Sequence, residues 1–176
     1  MLVKVKVQSL GLDRASNTPV VILQEEDGER VLPIWIGPGE ASAIAMQLAD
    51  MKFSRPLTHD LLVSIMGGLG GNLQRVLITG VVDNTYYAEL IIQRGESVIS
   101  VDARPSDSIA VALRSDAEIF AQDELLERAS IEVAEEETVV TNQEGLEVGE
   151  SDLMKPEELK EYLRRLNPED FGRFSP

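Results

Sequence analysis

One series of elements occurs twice in this chain, 67 residues apart, and that duplication constrains the fold more than any composition figure. In the first copy Val3, Val5 and Val7 alternate with Lys4, Lys6 and Gln8, the period-2 pattern of a half-buried strand. Pro19-Val20-Val21-Ile22-Leu23 reads as a second strand. Glu25-Glu26-Asp27-Gly28 reads as a hairpin turn, and Arg30 to Ile36 as the returning strand. Gly37-Pro38-Gly39-Glu40 then opens a helix in which Ala41, Ile44, Ala45 and Leu48 form a stripe at helical spacing. Pro38 suits the first turn, where its missing N–H is no loss.

The second copy has strands at Val76-Leu77-Ile78, Tyr86 to Ile92 and Val98 to Val101, with a turn at Arg94-Gly95 and a helix opened by Pro105-Ser106-Asp107. The 67-residue shift lays Val31 on Val98, Ile34 on Val101, Pro38 on Pro105, Glu40 on Asp107 and Ala45 on Ala112. Connections this short imply antiparallel hairpins and exclude a doubly wound parallel sheet. The expected fold is α+β: duplicated β-β-β-α units forming a mostly antiparallel sheet packed with helices, plus a C-terminal amphipathic helix.

Between the copies Thr58 to Met66 reads as a third helix, capped by Thr58 and stopped by Gly67-Gly68. Asp123 to Ala129 reads as a short helix closing a main domain over residues 1–130. Residues 131–154 read as an acidic linker, with one short strand pattern at Thr138-Val139-Val140-Thr141. Residues 155–176 read as a helical tail, with Leu159, Tyr162, Leu163 and Leu166 on one face. A helix that short is marginal alone, so the tail is expected to dock on the main domain or on a partner chain.

A net charge of −15 argues against a simple nucleic-acid binder, because phosphate binding normally needs a basic face. The charge is uneven, however. Residues 1–122 carry 15 acids and 10 bases, whereas residues 123–170 carry 16 acids and 5 bases. The main domain is therefore only mildly negative. There is no cysteine, which excludes disulfides, zinc–thiolate sites, iron–sulfur clusters and thiol catalysis. The N-terminus leads straight into a strand pattern and no apolar run is long enough to span a bilayer, so a cytoplasmic protein without a membrane partner is expected.

The single histidine is His59. No Gly-x-Ser-x-Gly elbow is present, and Gly67-Gly68-Leu69-Gly70-Gly71 lacks the Lys-Ser/Thr of a phosphate loop. Acids and arginines instead concentrate at Glu40, Asp60, Asp102 and Asp107 with Arg55 and Arg104. Hydrolysing a phosphodiester needs an activated water, neutralisation of developing charge, and a proton for the leaving oxygen. Carboxylates can hold a divalent metal ion, the candidate cofactor; an arginine can clamp phosphate; His59 can carry a proton. The plain alternative is that Glu40, Asp60 and Asp107 only stabilise helix starts, and that Asp102 pairs with Arg104. Trp35, in an apolar strand, fits a core or interface position better than a base-stacking platform. Tyr86 and Tyr87 point to opposite faces.

Three separated blocks resemble the bifunctional nuclease domain found in bacteria and plants: Leu32 to Ala41, Arg55 to Leu62, and Val101 to Ala110. The resemblance covers roughly residues 1–130, and the ending Asn167-Pro168-Glu169-Asp170-Phe171 is similar to the tail of bacterial members. It implies nuclease activity on RNA and DNA, duplicated three-strand-plus-helix units, and homodimers. The catalytic set expected on that basis is His59, Asp60, Glu40, Asp102, Arg104 and Asp107, with nucleic acid as substrate. The competing expectation is a non-catalytic dimeric ligand-binding or regulatory domain with the same fold.

Overall fold

The computed structural model describes residues 1–13 and 16–129. Its elements are β1 (Leu2–Asp13), β2 (Thr18–Glu25), β3 (Val31–Trp35), α1 (Pro38–Leu48), α2 (Thr58–Gly68), β4 (Gly71–Val82), β5 (Thr85–Arg94), β6 (Ser97–Ala103), α3 (Pro105–Ser115) and β7 (Glu118–Gln122). A closing helix, α4, follows at 123–129. The acidic linker, the strand pattern at Thr138 to Thr141 and the amphipathic tail lie outside the described residues. No helix among the described residues is long and apolar enough to cross a membrane.

Each copy of the repeat folds as an antiparallel meander followed by a helix, β1-β2-β3-α1 and then β4-β5-β6-α3. The two helices begin at Pro38 and Pro105 and each runs for 11 residues, so the 67-residue offset holds to the residue there. The meanders do not pair with each other. β7 lies between them, giving one sheet in the order β3-β2-β1-β7-β4-β5-β6. It runs antiparallel to β1, with Val5 opposite Ile119, and parallel to β4, with Ile78 opposite Ala121. This five-residue strand belongs to neither copy, so the repeat gave no warning of it.

Strict alternation would put Val5 and Leu10 of β1 on opposite faces, yet both are buried. One extra residue, Gln8, separates Val7 (opposite Leu23) from Ser9 (opposite Ile22), and this bulge turns the strand over. A register shift between Leu73 and Arg75 does the same in β4, where Leu73 and Val76 share the core. Helix α3 is the centre of that core. It packs against α1, α2, β4, β5 and β7, and Ile109, Ala110 and Val111 are wholly covered. Ser108 is buried with them and donates to the Arg104 carbonyl at 2.9 Å, so its hydroxyl costs little. In α1 the expected stripe buries Ala41, Ile44 and Ala45, but Leu48 at the helix end is exposed and Met46 is covered instead.

Helix α2 departs from expectation at both ends. Thr58 is the first helical residue, not the cap; the cap position is Leu57, whose N–H donates to Asp60 Oδ2 at 2.9 Å. Gly67 and Gly68 remain inside or at the end of the helix, and the chain turns at Gly70, with φ of 77°. None of its residues is buried. Val63 and Met66 pack partly buried against the core, and charge adds to that hold. The Arg114 side chain, only 6% exposed, donates Nε to Asp60 Oδ1 of α2 at 2.6 Å. Its Nη2 donates to the Ala43 carbonyl of α1 at 3.0 Å and its Nη1 to Ala110 of its own helix at 2.8 Å. One guanidinium thus ties three helices.

Burial opposes ionisation of Asp60, but hydrogen bonds from the Leu57 N–H and Arg114 outweigh it and hold the carboxyl below the usual range. Such a group stabilises the fold above its unfolded pKa and ceases to do so as pH falls through the folded value. Melting temperature is therefore expected to fall on acidification below about pH 4, with part of that fall missing in Asp60→Asn. Arg114→Met is expected to cost about 3 kcal/mol at neutral pH, at the low end for a broken buried pair because Asp60 stays one-third exposed. Denaturant unfolding checks this; wild-type stability in Arg114→Met would show that the pair does not hold the helices.

Candidate functional site

The two helix starts related by the repeat meet. Glu40 is the third residue of α1 and Asp107 the third of α3, so both carboxylates lie over the first turn, where the helix dipole favours them. Arg104, the residue preceding α3, sits between: Nη1 is 2.8 Å from Glu40 Oε1, and Nε donates to Asp107 Oδ2 at 2.8 Å. The second Asp107 oxygen, Oδ1, lies 3.1 Å from His59 Nε2 on α2. Four side chains from three helices form one continuous chain, Glu40–Arg104–Asp107–His59.

Local sequence explains the geometry. The position equivalent to Arg104 in the first copy is Gly37, and a side chain there would have to displace the end of the Glu40 side chain, which folds back over it. In α2, Asp60 faces Arg114 while its neighbour His59 reaches Asp107, so one helix turn contacts α3 near both its ends. Burial pushes Asp107 toward its neutral form, but hydrogen bonds from Arg104 and His59 win and hold it below the usual carboxylate range. Arg104 is raised in turn, first by Asp107 and then by Glu40. An ionised carboxylate only accepts, so His59 Nε2 carries the hydrogen and Nδ1 is the acceptor of the neutral ring. The Arg104 side chain is 65% exposed and that of His59 13%, so the guanidinium meets solvent while the imidazole is tucked behind it.

Glu40 and Arg104 line a cleft of about 240 Å³ together with Ile34, Trp35, Tyr86 and Pro105. A second concavity of about 400 Å³ shares Trp35, Asn84 and Tyr86 and is completed by Val81, Leu125 and Arg128. Trp35 is therefore not a core residue. It is 52% exposed at the end of β3, and its Nε1 donates to Asp13 Oδ2 at 3.2 Å. Tyr86 is half-buried and Tyr87 exposed, on opposite faces as expected.

Of the six residues expected in the site, the fold brings Glu40, His59, Arg104 and Asp107 together. Asp60 faces Arg114 instead. Asp102 is exposed on β6 opposite Glu89, and the Asp102–Arg104 pair weighed from sequence does not form, because Arg104 serves Glu40 and Asp107. Arg55 is exposed and makes no ion pair among the described residues. No three His, Cys, Asp or Glu side chains gather to hold a metal ion among the described residues. Arg114 is absent from the residues expected in the site, although a lone cation ending an apolar helix was its signal; of the core or interface positions expected for Trp35, its exposure excludes the core.

The bifunctional nuclease domain model matches residues 21–134, which contain every residue of the cluster. Over 168 residues the chain is 38% identical to an uncharacterized protein of Mycobacterium tuberculosis, covering 96% of this chain and 97% of that relative. It is 27% identical over 105 residues to Bifunctional nuclease 1 of Oryza sativa subsp. indica, covering 58% of this chain and 32% of the rice protein. With Bifunctional nuclease 1 of Arabidopsis thaliana it shares 26% identity over 100 residues, 54% of this chain and 31% of the plant protein. The chain belongs to the bifunctional nuclease domain family.

Proposed function

We infer that the chain is a cytoplasmic nuclease hydrolysing phosphodiester bonds of RNA and DNA at the Glu40–Arg104–Asp107–His59 cluster. The observation that carries the reading is an exposed arginine on the cleft wall that shares the Asp107 carboxylate with a largely covered histidine lying outside the cleft lining. Nε and Nη1 of Arg104 are committed to carboxylates, which leaves Nη2 with two N–H groups for a phosphate. His59 Nδ1 accepts a proton from the attacking water, and Asp107 orients the ring and stabilises the imidazolium that forms. The imidazolium then returns the proton to the leaving oxygen. Glu40 fixes Arg104 from the other side. Asp60, through Arg114, positions α2 and hence His59.

The test compares wild type, His59→Ala, Arg104→Ala and Asp107→Asn on single-stranded RNA and DNA, each with and without chelator to detect a divalent metal ion. His59→Ala is expected to lower kcat about 10²–10⁴-fold and Arg104→Ala about 10²–10³-fold, with both variants folded at the assay temperature by circular dichroism although Arg104→Ala, which leaves Glu40 and Asp107 without their cation, melts lower than wild type. Equal cleavage by all four proteins would place the activity elsewhere. The non-catalytic alternative draws on the ion pairing of Glu40 and Asp107 at helix starts, and it requires no turnover by wild type at all.

Homodimerisation belongs to the same reading. Among the described residues β6 ends the sheet and exposes Val98, Ile99 and Val101, while α2 exposes Leu61, Leu62 and Ile65, with Leu69 exposed at its C-cap. A second copy related by a twofold axis covers such an edge with its own. Light scattering is expected to give a dimer for wild type and a monomer for Val98→Lys combined with Leu61→Lys. A monomeric wild type would refute the pairing.

A further inference from the structure

The nuclease reading leaves unexplained an exposed tryptophan in the wall of the cleft. We propose that Trp35 is a base-stacking subsite: its indole takes an unpaired base next to the phosphate held by Arg104, so the substrate class is single-stranded nucleic acid. This rests on the nuclease reading and deepens it.

Three observations carry it. Trp35 is half exposed in an apolar strand, yet its indole is fixed by the Nε1 hydrogen bond to Asp13, so the ring is presented rather than loose. It lines both concavities, the one holding Glu40 and Arg104 and the neighbouring one reaching Arg128, with Tyr86 beside it in each. Their volumes, about 240 and 400 Å³, are of the order of pockets that hold a small organic group, about 300–1,000 Å³. The third observation is electrostatic. Residues 1–122 carry five more acids than bases, and Arg104 is already flanked by two carboxylates. Phosphate attraction alone is a weak source of affinity on such a surface, whereas a π-face accepts any base regardless of protein charge. A base within a duplex has both faces occupied and cannot use the ring. Stacking therefore gives sequence-tolerant binding and selects unpaired strands, and it requires only one or two phosphate contacts.

Trp35 is the only tryptophan in the chain, so emission excited at the red edge of the absorption band, where the three tyrosines do not absorb, reports on it alone. The full chain carrying His59→Ala, which suppresses cleavage, is titrated with a short unstructured oligothymidylate, with oligouridylate, with a duplex of equal length and with thymidine monophosphate. Anisotropy of a labelled strand measures binding independently. Both single strands are expected to quench emission as they bind. Trp35→Ala should weaken them about 5- to 100-fold, while Trp35→Phe stays within about 3-fold of the parent. The duplex should bind at least about 10-fold more weakly, and log affinity should fall against log salt with a slope no steeper than about −2. Saturating oligonucleotide with unchanged emission, or Trp35→Ala binding like the parent while retaining its melting temperature, overturns the subsite. So does equal duplex binding, or a mononucleotide binding as tightly as the strands. Wild-type cleavage of RNA and DNA with any of these results leaves the nuclease reading standing; no binding and no cleavage removes both.

Discussion

Two helices packed with their N-termini side by side bring together two positive dipole ends, each equivalent to roughly half a charge, and each end favours a carboxylate. Two carboxylates that close would repel, and a cation between them is the economical solution. Arg104 is that cation, bound to Glu40 of α1 and Asp107 of α3 at 2.8 Å each. The sum of two carboxylates, one guanidinium and two helix ends is close to neutral. That near-neutrality is what the proposed anionic substrate would require of a centre built from acids, and the remaining N–H groups of Arg104 are directed by the ionic contacts already made.

The third component arrives by a different route. α2 belongs to neither copy of the repeat and buries no residue completely, so apolar packing alone would hold it loosely. Adjacent residues in its first turn grip α3 at two places: Asp60 takes Arg114, and His59 takes Asp107. Asp107 and Arg114 are seven positions apart, about two helical turns or 10 Å along α3, so two contacts at that spacing set the direction of α2 as well as its distance. The proposed proton carrier is thereby aimed by an ion pair that performs no chemistry. Asp60 matters to the site without facing the cleft.

Much of the fold was legible because duplication writes each element twice, and the helices Pro38–Leu48 and Pro105–Ser115 are read from one pattern. The unrepeated pieces were harder. β7 is five residues long and is stabilised by partners on both sides, which local propensity cannot anticipate. Thr58 has the usual cap chemistry, yet Asp60 satisfies the free N–H at Leu57 and shifts the helix start by one residue. In the site, first-turn acids at 40 and 107 followed from the repeat, and their meeting followed from the packing of α1 on α3. Which acids join Arg104 did not, because Asp60 and Asp107 look alike in sequence and differ only in which arginine reaches them. Trp35 is not in the core because β3 and the residue after it alternate: Leu32, Ile34 and Ile36 face inward, while Val31, Pro33 and Trp35 lie on the other face, a period that the uniformly apolar residues hide.

The copies also show where function departs from symmetry. Arg114 corresponds to Gln47, and the two make reciprocal bonds: Gln47 of α1 donates to the Leu113 carbonyl of α3 at 3.3 Å, and Arg114 of α3 donates to Ala43 of α1 at 3.0 Å. This pseudo-twofold exchange is what a duplicated scaffold yields unaided. At the helix starts the exchange fails, because Arg104 corresponds to Gly37. A second arginine at that position would occupy the space into which the Glu40 carboxylate folds. One copy therefore supplies the cation and the other the room for it. The asymmetry is what converts two equivalent helix caps into a single polarised cleft, with Arg104 at its mouth, His59 behind, and Trp35 on the wall contributed by the copy that gave up its cation.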